Sequence, residues 1–236
     1  MDLEIKAYPF PHYSTQLISE DEAEIIRNEI LQAAGDQNNL FSDGSLGRIN
    51  SLHGTEEQNQ LLAQCPETVN LLNKICDVLP TRLIEAYGEC VEFPNLASHK
   101  LFTRVDISIA KDGYSRPAHL DREYHLAINF LYLSGSEQYG GEGGELKLMA
   151  PSSKNAPTKG DKFPDEKLLV DGSTIAPKAG LLAGFLRTNE SWHTVNPMKG
   201  NHGERVFIFL GVDSATDIWT DSFVESAERR TSFLAS

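Results

Sequence analysis

Apolar residues in the first third of the chain recur at helical spacing. The segment 23–35, AEIIRNEILQAAG, has hydrophobic side chains three and four positions apart, which predicts an amphipathic helix. Residues 19–22 have the S-x-x-E pattern of a capping box, and Gly35 is a typical helix end. A second helix is predicted over residues 66–88, broken or kinked near Pro80. The first third is therefore expected to be mainly helical.

From about residue 100 the pattern changes to that of β-strands. Polar and apolar residues alternate over 101–110, which predicts a strand with an apolar face and a polar face. The polar face could line an interior or face water, and the alternation does not decide between them. Further strands are predicted over 125–133, 145–149, 180–185, 192–195 and 205–212. Loops are predicted over 35–54 and, as a surface insertion, over 150–167.

Helices followed by many short strands predict a mainly β fold, an antiparallel barrel or jelly roll braced by helices. A chain of 236 residues can bury a substantial core and fits one domain. We expect a single domain over 1–236. Within it, residues 1–95 would be helical support, 96–215 the β core carrying the site, and 216–236 a C-terminal tail.

Composition and charge restrict the function. With 34 acidic and 21 basic residues, the chain carries a net charge of −13, which repels phosphate backbones, so we expect no nucleic-acid partner. The three cysteines, Cys65, Cys76 and Cys90, lack a CxxC motif and suit a reducing compartment. There is no signal-peptide pattern and no apolar run of membrane-spanning length, so we expect a soluble cytoplasmic protein without a membrane partner.

A candidate metal site lies just before the most apolar strand. In His119-Leu120-Asp121 the imidazole and the carboxylate are two positions apart, so on an extended segment both point to one face. One nitrogen and one oxygen ligand suit Fe(II), Mn(II) or Zn(II). The triplet alone is a weak signal, because a solvated charged turn would have the same sequence.

A third candidate ligand is His193, which lies within the short apolar strand at 192–195. An unpaired imidazole would be costly there. The following turn and the strand at 205–212 predict a β-hairpin that sets His193 opposite residue 207, with Arg205 nearby. Arginine can bind a carboxylate through two hydrogen bonds. Two histidines and one carboxylate with open positions are typical of non-haem Fe(II) oxygenases.

Five ordered pieces of sequence extend this pattern from about residue 101 to residue 212: HLD, INFLYLS, GGELKL, PKAGLLAGF and WHTVNPMKGNHGERVFIFL. In order and spacing they resemble the iron(II)/2-oxoglutarate-dependent dioxygenase superfamily, within its prolyl-4-hydroxylase-like branch. The resemblance implies a double-stranded β-helix fold. It also implies Fe(II) bound by His119, Asp121 and His193, and 2-oxoglutarate held at its distal carboxylate by Arg205.

The chain departs from its relatives at two positions. Related hydroxylases often have a tyrosine two residues before the first histidine, where this chain has Pro117, so Tyr114 is a candidate substitute. Some relatives have a hydroxyl residue two positions after the arginine, where this chain has Phe207. Candidate polar partners for the cosubstrate in its place are Tyr132, Asn129 and Thr194. Asp121 disfavours the halogenating relatives, in which a small residue replaces the carboxylate.

The activity that the resemblance implies is hydroxylation of an unactivated C–H bond. O2 and 2-oxoglutarate are consumed and succinate and CO2 are released, with ascorbate as a candidate reductant. A small molecule such as an amino acid or its derivative is the favoured substrate, and a peptidyl side chain, above all proline, is the alternative. Two other classes stay open: a barrel that binds a metabolite without turnover, and a Zn- or Mn-dependent hydrolase using the same triad. The sequence indicates no oligomeric state.

Other polar residues near these motifs have weaker interpretations. A structural or supporting role is favoured for His125 over metal ligation, and His202-Gly203-Glu204 is interpreted as part of a loop. Four arginines are candidates for contacting an anionic substrate, although most such residues are simply exposed: Arg104, Arg116, Arg122 and Arg187. The helical third and the insertion at 151–170 are expected to shape the substrate pocket.

Overall fold

The computed structural model describes most of the chain. The described residues are 3–35, 49–53, 55–88, 91, 96, 99–152, 156–200 and 203–219. Most of the predicted tail at 216–236, together with His202 and Cys90, lies outside them. In the described part of the chain, no helix is long and apolar enough to cross a membrane.

The predicted helices form, and their ends follow from the sequence. The capping box at the first helix is present, since the Ser19 amide donates to Glu22 Oε2 at 2.9 Å and the Glu22 amide donates to Ser19 Oγ at 3.2 Å. The predicted second helix is divided before Pro80 into two helices. The helices are α1 Glu20–Gly35, α2 Glu56–Leu62, α3 Pro66–Ile75, α4 Leu79–Tyr87 and a single turn, α5 Ser136–Tyr139. Neither α2 nor α5 was predicted.

Within the described ranges, ten strands form two antiparallel sheets. They are β1 His12–Gln16, β2 Ile49–His53, β3 Leu101–Ala110, β4 Arg116–His119, β5 His125–Tyr132, β6 Leu146–Pro151, β7 Leu169–Ile175, β8 Leu181–Leu186, β9 His193–Val195 and β10 Arg205–Ser214. The larger sheet has the order β1-β8-β5-β10-β3-β2 and the smaller one β4-β9-β6-β7. The fold is therefore mainly β, with two sheets and supporting helices, as the sequence predicts.

The central strands of the larger sheet, β5, β8 and β10, are buried on both faces. One face packs against the helices, where Ile107 and Ile208 join Leu83 in a common apolar cluster. The other face packs toward the smaller sheet, where Phe185 and Leu148 belong to a second cluster. On β3 the apolar residues face the helices, while Arg104, Asp106 and Ser108 line a cavity on the opposite face. The polar face of this strand therefore lines the interior.

The predicted hairpin of β9 and β10 is wrong, because the two strands belong to different sheets. His193 pairs with His119 and Leu148, whereas Phe207 pairs with Ser108 and Tyr132. The backbone of the connection between them bonds to other loops: the Met198 amide donates to the Tyr114 carbonyl at 2.9 Å, and the Met198 carbonyl accepts from Gly113 at 2.7 Å.

Four strands were missed by the sequence analysis. β2 lies inside the segment predicted to be a loop, and β1, β4 and β7 were not assigned. The sequences of β1, β4 and β7, HYSTQ, RPAH and LVDGSTI, contain few consecutive alternating apolar residues. Two of these strands are defined by backbone pairing to a neighbour that is distant in the chain, β1 to β8 and β4 to β9, whereas β7 pairs with the preceding β6 across the insertion. Local periodicity does not detect such strands.

A buried polar contact connects three strands of the larger sheet. The Tyr13 hydroxyl on β1 donates to Asn129 Oδ1 on β5 at 2.7 Å, and Asn129 Nδ2 donates to the Leu210 carbonyl on β10 at 2.7 Å. Tyr13 and Asn129 are both completely buried. Burial raises the pKa of the Tyr13 hydroxyl well above its usual range, so the proton needed for this hydrogen bond is retained.

We expect the substitution Tyr13→Phe to lower the free energy of unfolding by about 1–3 kcal/mol, because it leaves the buried Asn129 oxygen without a donor. Urea denaturation followed by circular dichroism measures the change. Tyr8→Phe is the matched control, since Tyr8 is 64% exposed and should unfold like the wild type. Equal stability of the Tyr13 and Tyr8 variants would contradict the structural role of this contact.

Candidate metal centre

Pairing of β4 with β9 brings the candidate ligands together. His119 at the end of β4 lies directly opposite His193 on β9, and Asp121 follows two residues later. The Asp121 carboxylate is 3.3 Å from His193 Nε2 and 4.0 Å from His119 Nε2. Ligand atoms of all three residues lie within 4.8 Å of one another. The structure thus brings together residues that are more than seventy positions apart in the sequence.

Hydrogen bonds orient both imidazoles. His119 Nδ1 is 2.8 Å from the Pro117 carbonyl, and His193 Nδ1 is 3.1 Å from the Ser191 carbonyl. A carbonyl oxygen only accepts, so each Nδ1 carries a proton and each ring directs its Nε2 toward Asp121. This is the arrangement that metal-binding histidines adopt.

The protonation states at the site also favour metal binding. Burial, followed by the neighbouring charge of His119, lowers the pKa of His193 to about 4, so its ring is neutral at physiological pH. Burial alone would raise the pKa of Asp121, but the nearby His193, His119, His125 and Arg187 outweigh it and lower that pKa. Asp121 is therefore an ionised carboxylate that faces Nε2 of both imidazoles.

These residues fit a divalent cation. Asp121 Oδ2 is buried and has no hydrogen-bond partner among the described residues, although the carboxylate faces Nε2 of both imidazoles. Such an arrangement is unfavourable unless a positive charge lies between the three groups. Two nitrogen ligands and one oxygen ligand suit Fe(II), Mn(II) or Zn(II), and three protein ligands leave further coordination positions for other molecules.

Arg187 holds the segment that carries Asp121. It is completely buried and donates from Nε and Nη2 to the Asp121 carbonyl at 3.2 and 3.1 Å. Its Nη1 donates to Asn189 Oδ1 at 2.7 Å, and Glu123 lies 3.6 Å from its Nη2. The sequence analysis considered Arg187 as a substrate contact, but these bonds occupy its guanidinium. Arg187 directly follows β8, and no sequence pattern around it indicates this role.

A cavity of about 690 Å³ lies between the sheets and is lined by the three candidate ligands and by Arg205. Arg205 is 2% exposed, and its guanidinium lies 5.0–5.7 Å from the ring centres of Tyr114, Tyr132 and Phe207. Its Nη1 donates to the Gly144 carbonyl. Among the described residues, no carboxylate lies within 4 Å of Arg205, and its buried Nε has no hydrogen-bond partner. Arg205 is thus a buried cation without a counter-charge in the described part of the chain.

Gly144 is required for this placement. It has a φ of +81°, and a Cβ at this position would lie 2.5 Å from Arg205 Nη1. A larger residue would be strained in its backbone and would also collide with the arginine. The glycines of the GGEL segment therefore have a specific structural purpose at the wall of the cavity.

The four candidate cosubstrate contacts divide into two pairs. Tyr114 and Tyr132 line the cavity beside Arg205. Asn129 and Thr194 do not line it, which corrects the expectation for both. The amide of Asn129 is on the helix-facing side of β5 and is used by Tyr13 and Leu210. The Thr194 hydroxyl donates at 2.5 Å to the Arg116 carbonyl on the neighbouring strand. Strand alternation turns both side chains away from the cavity.

Another wall of the cavity contains a charged network that the sequence analysis missed. His125 Nδ1 is 2.5 Å from Asp213 Oδ1, and Arg104 Nε is 3.4 Å from the other oxygen of Asp213. Arg104 Nη2 is also 3.6 Å from Asp106 Oδ2. His125 is therefore held by a carboxylate and is not part of the group around Asp121, in line with a supporting role. Asp213 ends a strand and belongs to no motif, so local sequence did not reveal it.

The segments that line the pocket differ in part from those expected. All of the described residues that line it lie at or beyond position 104, so the helical third contributes none of them. The helices instead pack behind the larger sheet. The insertion does contribute, through Lys162 and Phe163.

Comparison with known proteins identifies the fold. No protein-family model matches the chain, and no curated protein matches its sequence. A prolyl 4-hydroxylase from Phytophthora capsici matches the structure with a TM-score of 0.55 and 16% identity, covering 94% of this chain and 68% of that chain. HygX from Streptomyces hygroscopicus, with nickel, 2-oxoglutarate and hygromycin B bound, matches with a TM-score of 0.52 and 13% identity, covering 90% and 89%.

A third match is a prolyl hydroxylase from Trichoplax adhaerens in complex with a hypoxia inducible factor peptide fragment. Its TM-score is 0.50 and its identity 14%, and the match covers 95% of this chain and 87% of that chain. At these identities the comparisons establish a shared fold. The chain has the fold of the prolyl hydroxylases and of HygX.

We expect the substitution Arg187→Lys to weaken divalent-metal binding by about tenfold or more, because it removes the paired hydrogen bonds to the Asp121 carbonyl while leaving all three ligands in place. Isothermal titration of the metal-free protein with Mn(II) measures the affinity. Arg82→Lys is the control, since Arg82 forms an exposed pair with Glu85. Unchanged affinity in a folded Arg187 variant would show that this arginine does not position Asp121.

Proposed function

We propose that the protein is an Fe(II)- and 2-oxoglutarate-dependent dioxygenase that hydroxylates an unactivated C–H bond of a small molecule. One observation carries the proposal. The group formed by His119, Asp121 and His193 and the uncompensated Arg205 line the same cavity. The first suits a divalent metal and the second suits a carboxylate. A molecule that binds both needs a metal-chelating end and a distal carboxylate, as 2-oxoglutarate has.

The burial of Arg205 is the energetic argument for an anionic cosubstrate. An unpaired buried charge costs several kcal/mol, and a carboxylate would offset much of that cost through charge-assisted hydrogen bonds. Three aromatic rings surround the guanidinium and exclude water from it. Tyr114 and Tyr132, which line the cavity, would contribute hydroxyl groups to the same carboxylate. HygX, which shares the fold, has 2-oxoglutarate bound in its structure, which supports this choice of dicarboxylate.

The chain's own residues bind and orient the reactants. His119, Asp121 and His193 would hold the metal, and Arg187 keeps Asp121 in place. When bound, Fe(II) and 2-oxoglutarate supply the oxidising power from O2, with release of succinate and CO2. Apolar walls from Phe130 and Phe207 would exclude water from the reacting C–H bond. Ascorbate is a candidate reductant for the iron.

We also propose that the fold is a double-stranded β-helix within a single domain. The two facing antiparallel sheets support a double-stranded β-helix, and the packing of the helices on the larger sheet supports one dioxygenase domain over 1–236.

A small-molecule substrate is favoured by the size and position of the cavity. A volume of about 690 Å³ lies within the usual range of about 300–1,000 Å³ for small-ligand sites. The alternative is a peptidyl substrate of the prolyl type, which the peptide-bound Trichoplax hydroxylase supports. An amino acid or its derivative is the class that we propose first.

Two functions of other classes predict different experimental results. A Zn- or Mn-dependent hydrolase would use the three ligands to activate water, but it has no need of a buried arginine in the same cavity. A barrel that binds a metabolite without turnover would produce no succinate. Both alternatives are therefore tested by measuring 2-oxoglutarate binding and succinate release.

We expect anaerobic addition of Fe(II) and 2-oxoglutarate to produce a weak visible charge-transfer band. Asp121→Ala should abolish it because a metal ligand is lost. Arg205→Ala should weaken it by raising the 2-oxoglutarate concentration needed for half saturation by about tenfold or more, since two charge-assisted bonds are lost. Arg82→Ala, on an exposed helix surface, is the control. Wild-type protein that binds Zn(II) tightly but shows no band would instead favour the hydrolase.

A further inference from the structure

We infer that the substrate carries an anionic group, a carboxylate or a phosphate, and that Arg116 and Arg122 bind it beside the metal ligands. The inference rests on the proposed function, because it assigns the substrate of the same cavity. It comes from the distribution of charge around the cavity and from the partners of each charged side chain.

The cavity is basic, although the protein is acidic. Five cationic residues line it, against the two carboxylates of Asp106 and Asp121, while the whole chain carries a net charge of −13. The five cations are Arg104, Arg116, Arg122, Lys162 and Arg205. Asp213 and Glu123, which pair with Arg104 and Lys162, bring the neighbouring carboxylates to four, so the described residues leave an excess of one cation. A bound divalent metal would add two positive charges and 2-oxoglutarate two negative ones, so this excess would remain. Charge of one sign in a cleft raises the local concentration of oppositely charged molecules.

Three of these cations already have a partner or an assigned ligand. Arg104 faces the carboxylates of Asp106 and Asp213, and Lys162 Nζ lies 3.1 Å from Glu123. Arg205 is assigned to the cosubstrate. For Arg116 and Arg122, by contrast, no acidic group among the described residues lies within 4 Å. Apart from Arg205, these two arginines are the lining cations for which the described part of the chain provides no acidic partner.

Their positions suit a substrate rather than the cosubstrate. Arg116 precedes His119 by three residues and Arg122 follows Asp121 directly, so the pair flanks the two metal ligands on one segment. Arg116 is half-buried and Arg122 is exposed. Side chains with this exposure can close on a ligand that enters from solvent, whereas the buried Arg205 is reached only through the cavity.

The exposed edge of the cavity, here called the rim, also contains an apolar surface for the rest of such a substrate. Phe163, contributed by the insertion, lines the cavity and is 75% exposed. Its segment is fixed to the site, because the Lys162 carbonyl accepts from the Leu120 amide at 3.0 Å and the Asp161 carbonyl accepts from Trp192 Nε1 at 2.8 Å. An exposed aromatic ring on a fixed rim, beside two arginines, fits an organic anion with an apolar part.

The test measures binding to protein that is loaded with Zn(II) and saturated with 2-oxoglutarate. Zn(II) is redox-inert, so nothing turns over, and saturation with 2-oxoglutarate keeps other acids away from Arg205. The probes are N-acetyl amino acids and the corresponding N-acetyl amino acid amides, which differ in charge but hardly in size. N-acetyl-phosphoserine is included to distinguish a phosphate from a carboxylate. Saturation-transfer NMR reports which member of each pair binds.

We expect at least one acid to bind about tenfold more tightly than its amide, as a charge-assisted arginine pair should provide. Arg116→Gln and Arg122→Gln should each remove most of that preference. Lys162→Gln is the matched control, because it deletes a cation of the same rim that is already paired with Glu123, and it should reduce the preference less. Thermal unfolding checks that each variant is folded.

Two results would overturn the inference: no acid that binds better than its amide, or a preference that persists in both arginine variants. Metal-dependent binding of 2-oxoglutarate is measured in the same preparations. If the wild type does not bind 2-oxoglutarate, the proposed function fails. If it binds 2-oxoglutarate without preferring acids, only the assignment of an anionic substrate fails.

Discussion

The pairing of β4 with β9 is the interaction on which the candidate site depends. It sets His119 opposite His193, and the chain leaves β4 so that Asp121 returns to the same point. Neither strand has a strong apolar pattern, and each is only three or four residues long. Their alignment is instead maintained by the neighbouring β6 and by the Thr194–Arg116 contact. A one-residue slip would turn one imidazole away from the cavity, so the chemistry depends on this register.

In the larger sheet, residues that connect or stabilise strands lie on one face, and residues that line the cavity lie on the other. On β5, Asn129 faces the helices and connects strands, while Phe130 and Tyr132 face the cavity. The same alternation on β3 turns Arg104 and Asp106 inward and Ile107 outward to the helices. Residues that stabilise the fold on the helix-facing side therefore alternate, along the same strands, with residues that line the cavity.

This alternation also explains what could be predicted from the sequence. His119, Asp121 and His193 were identifiable because ligand chemistry and short spacing are local properties. Asn129 and Thr194 were wrongly placed at the cavity because the phase of a continuous apolar strand cannot be determined from its own residues. The erroneous β9–β10 hairpin has a related cause, since adjacent apolar strands pair by default unless tertiary contacts separate them. Arg187 and Asp213 act through distant partners, and no local pattern indicates such roles.

The distribution of charge connects the fold to the choice of reactants. The chain concentrates arginines around one cavity while its overall charge is strongly negative, so the low-dielectric walls focus a local field opposite in sign to that of the protein. Within the cavity the buried Arg205 has no acidic partner among the described residues, whereas Arg104 is matched by two carboxylates. Cations that are paired with carboxylates can form part of a sheet interior. A buried cation without such a partner is unfavourable until an anionic ligand binds it. We therefore propose that small molecules bind at the unmatched cations and that the matched ones form the wall of their site.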